Sequence, residues 1–119
     1  MKLSKSTLLI DMITRIVKLT FKSEYIPKFT AIWNESKAKI AAFDGCHFVE
    51  MLQSKNPANV CFTYSIWDNE DALNVYRHSE LFQKTWAKTK VLFDGKPEAW
   101  STDSHGFEGQ LKKEQNEAD

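Results

Sequence analysis

Cys61-Phe62-Thr63-Tyr64-Ser65-Ile66-Trp67 runs directly into Asp68-Asn69-Glu70-Asp71-Ala72-Leu73-Asn74-Val75-Tyr76-Arg77-His78-Ser79-Glu80-Leu81-Phe82. Aromatic and β-branched residues suit a pleated, half-buried surface, so the first run reads as a strand. Asp68, followed three residues later by Asp71, has the spacing of a capping box, so the second run opens as a helix. The pattern breaks at His78-Ser79-Glu80, where Ser79 is placed to cap a fresh helix reaching about Phe93. Leu81, Phe82, Thr85, Trp86, Thr89 and Phe93 give that helix a stripe at helical spacing, and Asp94-Gly95 ends it. This strand-to-helix junction gathers Trp67, Tyr76 and His78, which makes it the place to look for a small-molecule site.

Upstream, residues 46–53 and 59–67 form two strands around Ser54-Lys55-Asn56-Pro57-Ala58, a hairpin whose Asn-Pro step favours a turn. A one-residue slip in its register decides whether His47 or Cys46 shares a face with Tyr64, and the sequence leaves that open. Residues 12–21 mix β-branched with alternating polar residues and read as a first strand. A helix follows from Ser23 and Glu24 to about Phe43, with Pro27 tolerable in its first turn. Ile26, Phe29, Trp33, Ile40 and Phe43 mark its buried stripe, and Asp44-Gly45 stops it. Pro97 to Thr102, containing Trp100, is short enough for a last strand. The order strand, helix, strand, strand, helix, strand is the ferredoxin-like βαββαβ plan of an α+β domain, four antiparallel strands with helices on one face. Apolar residues occupy both alternating sets of the strands: Ile13, Val17 and Leu19 against Met12 and Ile16, then Phe48 and Leu52 against Val49 and Met51. Helices cover only one face, so a second copy of the chain is expected on the other, giving a symmetric homodimer.

At 119 residues the chain fits one domain. Residues 12–103 are expected to form it, with 1–11 a loose N-terminal extension and 104–119 a polar, glycine-bearing tail expected to be disordered. Hydrophobic residues at 42% supply enough apolar surface for a core, and the 13% of aromatics sets its character. Lys plus Arg and Asp plus Glu number 16 each, so no net field draws the chain toward nucleic acid or an anionic membrane. Asp11 interrupts the N-terminal apolar run, and neither an export signal nor a membrane span is read. Cys46 and Cys61 lie about six residues out of register across the hairpin, or about 20 Å, too far for a bridge. Reduced thiols follow, and with them a cytoplasmic compartment.

The chain lacks a Gly-rich phosphate loop, a CxxC pair, an HExxH helix and a GxSxG elbow. His47, His78 and His105 have no metal-ligand spacing, so neither metal nor cofactor is expected. His78 is the candidate base, since a neutral imidazole accepts a proton near neutral pH. Its plainer reading is a helix-end histidine meeting the last carbonyls. Tyr64, Trp67, Tyr76 and Trp86 are candidates to line a pocket for a flat ring, or else ordinary core. Arg77 reads as a holder of an anionic oxygen or as a solvated helix residue. Glu50 is read as facing solvent or the rim of the dimer.

Between about Met12 and Thr102 the chain resembles the antibiotic biosynthesis monooxygenase family of dimeric α+β barrel proteins. The resemblance is carried by the order of elements, the Phe43-Asp44-Gly45-Cys46 turn, Tyr64-Ser65-Ile66-Trp67-Asp68 and Tyr76-Arg77-His78-Ser79-Glu80-Leu81-Phe82. It implies a dimer with facing sheets and, in each protomer, a pocket between sheet and helices. Members of that family oxidise quinols or polycyclic phenols without metal or flavin, degrade haem, or isomerise small metabolites. Against the haem-degrading members, Trp86 falls at their helix histidine, Tyr76 at their tryptophan and Ile16 at their asparagine, so haem ligation is not expected. The resemblance implies a cofactor-free monooxygenase using molecular oxygen on a small aromatic quinol or polyphenol. His78 would take the proton, Tyr76 and Tyr64 would donate hydrogen bonds, and Trp67 and Trp86 would wall the ring. Isomerisation and binding without turnover are the competing classes.

Overall fold

The computed structural model describes residues 12–109, so the expected extension 1–11 and the last ten residues of the expected tail lie outside it. Strands β1 (Ile13–Thr20), β2 (Cys46–Gln53), β3 (Val60–Trp67) and β4 (Glu98–Thr102) form one antiparallel sheet in the order β2-β3-β1-β4. Helices α1 (Ile26–Ala41), α2 (Glu70–Arg77) and α3 (Glu80–Lys90) complete the ferredoxin-like α+β plan. No helix among the described residues is long and apolar enough to cross a membrane.

Boundaries moved where local chemistry forbids the simpler reading. A helix beginning at Ser23 would place Pro27 where its missing donor is needed and its ring meets the carbonyl four residues back. Ser23–Tyr25 instead makes a separate 3-10 turn, and α1 starts at Ile26 with Pro27 in its first turn. The α2 cap is a correction: Asn69, not Asp68, accepts the Ala72 N–H at 2.9 Å. Asp68 is engaged elsewhere, since its Oδ1 receives His47 Nε2. Ser79 caps α3 as expected, accepting from Phe82 N–H at 3.1 Å. That helix ends at Lys90 because Phe93 turns back to bridge Phe21, and Asp94 N–H reaches the Thr20 carbonyl.

Register settles the question the hairpin left open. Glu50 pairs with Tyr64 and Phe48 with Ile66, and an irregularity between Cys46 and Phe48 absorbs one residue. Strand β1 aligns Arg15 with Ser65 and with Ser101 of β4, and Ile16 with Tyr64 and Trp100. Since neighbours directly across a sheet share a face, Tyr64, Ile66, Phe48, Leu52, Ile16 and Trp100 point away from the helices. Ile13, Arg15, Val17, Leu19, Cys61, Ser65 and Trp67 point toward them. Cys61 lies opposite Gln53, at the far end of the hairpin from Cys46, and both thiols are free.

Two packed clusters fill the helix side. Leu19, Phe21, Phe29, Cys61 and Leu92 form one, and Ile13, Ile40, Trp67 and Leu73 the other. Gly45 brings the second together: its φ is +88°, a left-handed value costly to a side chain, and a methyl group there would stand 2.6 Å from Ala72 Cβ. The turn before β2 and the face of α2 therefore meet with no room between them.

Candidate functional site

Between the two clusters the helix-facing side of the sheet leaves a cavity of about 390 Å³. Volumes of about 300–1,000 Å³ are usual for small-molecule pockets. Strand alternation supplies its floor, because Arg15, Val17, Ser65 and Trp67 occupy inward positions of β1 and β3. Helices α1, α2 and α3 supply its walls through Trp33, Tyr76, Phe82 and Trp86.

Trp67 anchors the aromatic wall. It is 1% exposed, and its Nε1–H donates to Ser65 Oγ at 2.9 Å, which satisfies the buried indole and fixes the ring. Tyr76 stacks on it with centroids 4.8 Å apart and planes inclined by 28°. Edge contacts from Phe43 and Phe82, each at 5.3 Å, hold Tyr76 from two further sides. Phe82 passes the stack on to Trp86, 5.8 Å away and nearly parallel. Burial, with a smaller contribution from the Cys46 thiol, pushes the Tyr76 pKa far above that of a free phenol. Its hydroxyl is accordingly a hydrogen-bond donor throughout the neutral range.

Arg15 and Arg77 give the cavity its charge. Arg15 is partly buried, and one of its guanidinium nitrogens donates to Ser101 Oγ at 3.1 Å. Burial lowers its pKa first and the neighbouring Arg77 second, while Glu70 acts in the opposite sense. A guanidinium starts so far above neutral pH that both arginines stay cationic. The ion pairs among the described residues join Lys18 to Glu98, His47 to Asp68 and Lys84 to Glu80, and neither arginine takes part in one. The buried hydroxyls of Ser36 and Thr89 donate to the carbonyls of Ile32 and Thr85 and are occupied within their helices.

Of the residues singled out in the sequence, Trp67, Tyr76, Arg77 and Trp86 line this cavity together. Tyr64 does not: it lies on the outward face, 5.9 Å from Phe48 in an edge contact. His78 is exposed at the end of α2, outside the lining, and its Nδ1–H donates to the Asn74 carbonyl at 2.8 Å. This is the arrangement of a helix-end histidine, and it gives proton abstraction by His78 no geometric support. Ile16, set against the asparagine of the haem-degrading proteins, also faces outward. Arg15 and Trp33 were missed as site residues. For Arg15 the signal was present, since it shares the alternation of Ile13 and Val17 and is therefore a charge on an inward apolar face.

The model of the family described as "Antibiotic biosynthesis monooxygenase" matches residues 12–88. No curated protein matches the chain. Among solved structures, a conserved protein from Methanosarcina mazei Go1 superposes with a TM-score of 0.78 at 15% identity, covering 82% of this chain and 97% of that one. Rv0793 from Mycobacterium tuberculosis gives 0.74 at 13% identity, with 82% and 99% covered. A variant of SnoaB, a cofactor-independent oxygenase from Streptomyces nogalater, gives 0.72 at 15% identity, with 82% and 96% covered. Similarity at this identity speaks for the fold, and the family match runs from β1 through the hairpin and the first two helices into α3, taking in the aromatic wall of the cavity: the chain belongs to the antibiotic biosynthesis monooxygenase family.

Proposed function

We propose that the protein is a cofactor-independent monooxygenase acting on a small aromatic quinol or polyphenol. The observation that carries this reading is that the stacked Trp67–Tyr76 wall and two cationic side chains line one cavity. Triplet oxygen reacts by accepting an electron, and a phenolate gives one more readily than a phenol. Positive charge from Arg15 and Arg77 favours the ionised ring hydroxyl, and the protonated Tyr76 donates a hydrogen bond to its oxygen. Trp67 and Trp86 hold the ring plane and exclude water. For a phenol with an oxidisable ring C–H, one oxygen atom enters as a new ring carbonyl and the other leaves as water, carrying the two hydrogens lost. Four electrons pass from substrate to oxygen, so no further reductant is needed.

The outward face supports a homodimer as the working form. Phe48, Leu52 and Trp100 are 44%, 46% and 46% exposed, clustered with Tyr64 and Ile66 on one side of the sheet. A contiguous aromatic surface of this kind is what a second protomer would cover. An oxygen electrode with a quinol and anthrone panel tests the activity. Oxygen uptake matched by product supports it. Product formed equally well under argon identifies an isomerase, and ligand-induced thermal stabilisation without product identifies a binder; either result overturns the oxygenase.

A further inference from the structure

An ionised ring hydroxyl carries one negative charge, yet two guanidinium groups line the cavity. Arg15 is partly buried and Arg77 exposed, so water screens the pair only in part, and an anion between them would relieve the remaining repulsion. Among the described residues no carboxylate comes within ion-pair distance of either arginine, and Glu70, whose charge is felt at Arg15, is exposed to solvent. No carboxylate among the described residues belongs to the cavity lining, so the two positive charges have no direct ion-pair partner there.

Orientation adds to charge. Ser101 Oγ accepts from one Arg15 nitrogen on the sheet, which restrains the fork and leaves its other N–H donors for a ligand. Arg77 enters from the last turn of α2, one residue after Tyr76, so it sits beside the aromatic wall rather than across the protein. Flat apolar walls next to a pair of planar forks match a flat ring bearing a planar anion.

We propose that the cavity selects an aromatic substrate bearing a carboxylate, with Arg15 and Arg77 holding that group while Trp67 and Trp86 hold the ring. This rests on the aromatic-substrate reading and names its class. With the carboxylate and the ionised hydroxyl both bound, two negative charges meet two positive ones. A phosphate monoester fits less well, because no lysine lines the cavity and the start of α2 carries Glu70 and Asp71 rather than open, uncharged surroundings.

Calorimetric titration under argon with hydroxynaphthoate, naphthol and naphthyl phosphate tests the inference apart from turnover. Hydroxynaphthoate is expected to bind about tenfold or more tightly than naphthol, the worth of a charge-assisted hydrogen bond. Arg77→Gln, at an exposed position where folding is not at stake, should weaken hydroxynaphthoate binding more than naphthol binding and so erase most of that difference. Arg77→Lys should restore part of it, and Arg15→Gln should match Arg77→Gln wherever its far-ultraviolet spectrum is native. Equal affinity for hydroxynaphthoate and naphthol overturns the inference, as does tighter binding of naphthyl phosphate than of the carboxylate. Carboxylate preference without oxygen uptake leaves this inference standing and removes the oxygenase; oxygen uptake on quinols without carboxylate preference does the reverse.

Discussion

The two faces of the sheet carry similar side chains in different surroundings. On the inward face, Trp67 is enclosed by Tyr76, Phe43 and Ser65 and is 1% exposed. On the outward face Trp100, two strands away, is 46% exposed. Aromatic content alone does not separate a cavity wall from an open surface. Helix coverage does, and strand parity assigns each ring to one side or the other.

Breaking the inward face should have the largest effect. Trp67→Ala removes a fully enclosed ring together with its bond to Ser65, and is expected to cost about 3–5 kcal/mol in urea unfolding. Trp100→Ala should alter protomer stability by less than about 1 kcal/mol while weakening the dimer at least about tenfold in sedimentation equilibrium. If Trp100→Ala destabilises the protomer as much as Trp67→Ala does, the contrast between the faces fails.

Tyr76→Phe sharpens the contrast by separating chemistry from packing. With the ring retained, Tm should hardly move, and kcat on a quinol should fall about 10- to 100-fold for loss of a preorganised donor. The tyrosine also has an alkaline signature. Its folded pKa lies above the unfolded value of about 10, so its contribution to stability is complete below that pH and is lost as pH rises from there toward the folded pKa. Urea midpoints measured between about pH 8 and 11 should fall at the alkaline end in the native protein and less in Tyr76→Phe. Smallest of all, His78→Ala should change turnover less than about twofold and stability by under about 1 kcal/mol, because the imidazole only meets a helix-end carbonyl. A hundredfold loss of turnover would return His78 to the role of base.

Much of the architecture was legible because it depends on local chemistry. Ser79 could be recognised as a cap from the break around it, and the order of elements followed from hydrophobic period. Of the dispositions that failed, one required a competing partner and another overlooked strand parity. Asp68 has the composition of a cap, but His47, brought alongside by the hairpin, takes its carboxylate, and Asn69 caps instead. Tyr64 and Trp67 were grouped in one pocket although an odd separation along a strand puts them on opposite faces, a constraint the sequence already contained. Arg15 obeyed the same rule in the other direction. The distribution of charge within the cavity could not be read, because Arg77 reaches Arg15 only through the packing of α2 on the sheet.

The breadth of the cavity is governed from a position that does not line it. Because Gly45 and Ala72 leave no slack, and Tyr76 stands one turn beyond Ala72 on the same side of α2, the bare backbone at Gly45 works as a calliper stop for the tyrosine ring. Any side chain grafted there would lever α2 outward and part Tyr76 from Trp67. The width of the cavity is thus adjustable by a remote turn, without rebuilding a single wall residue.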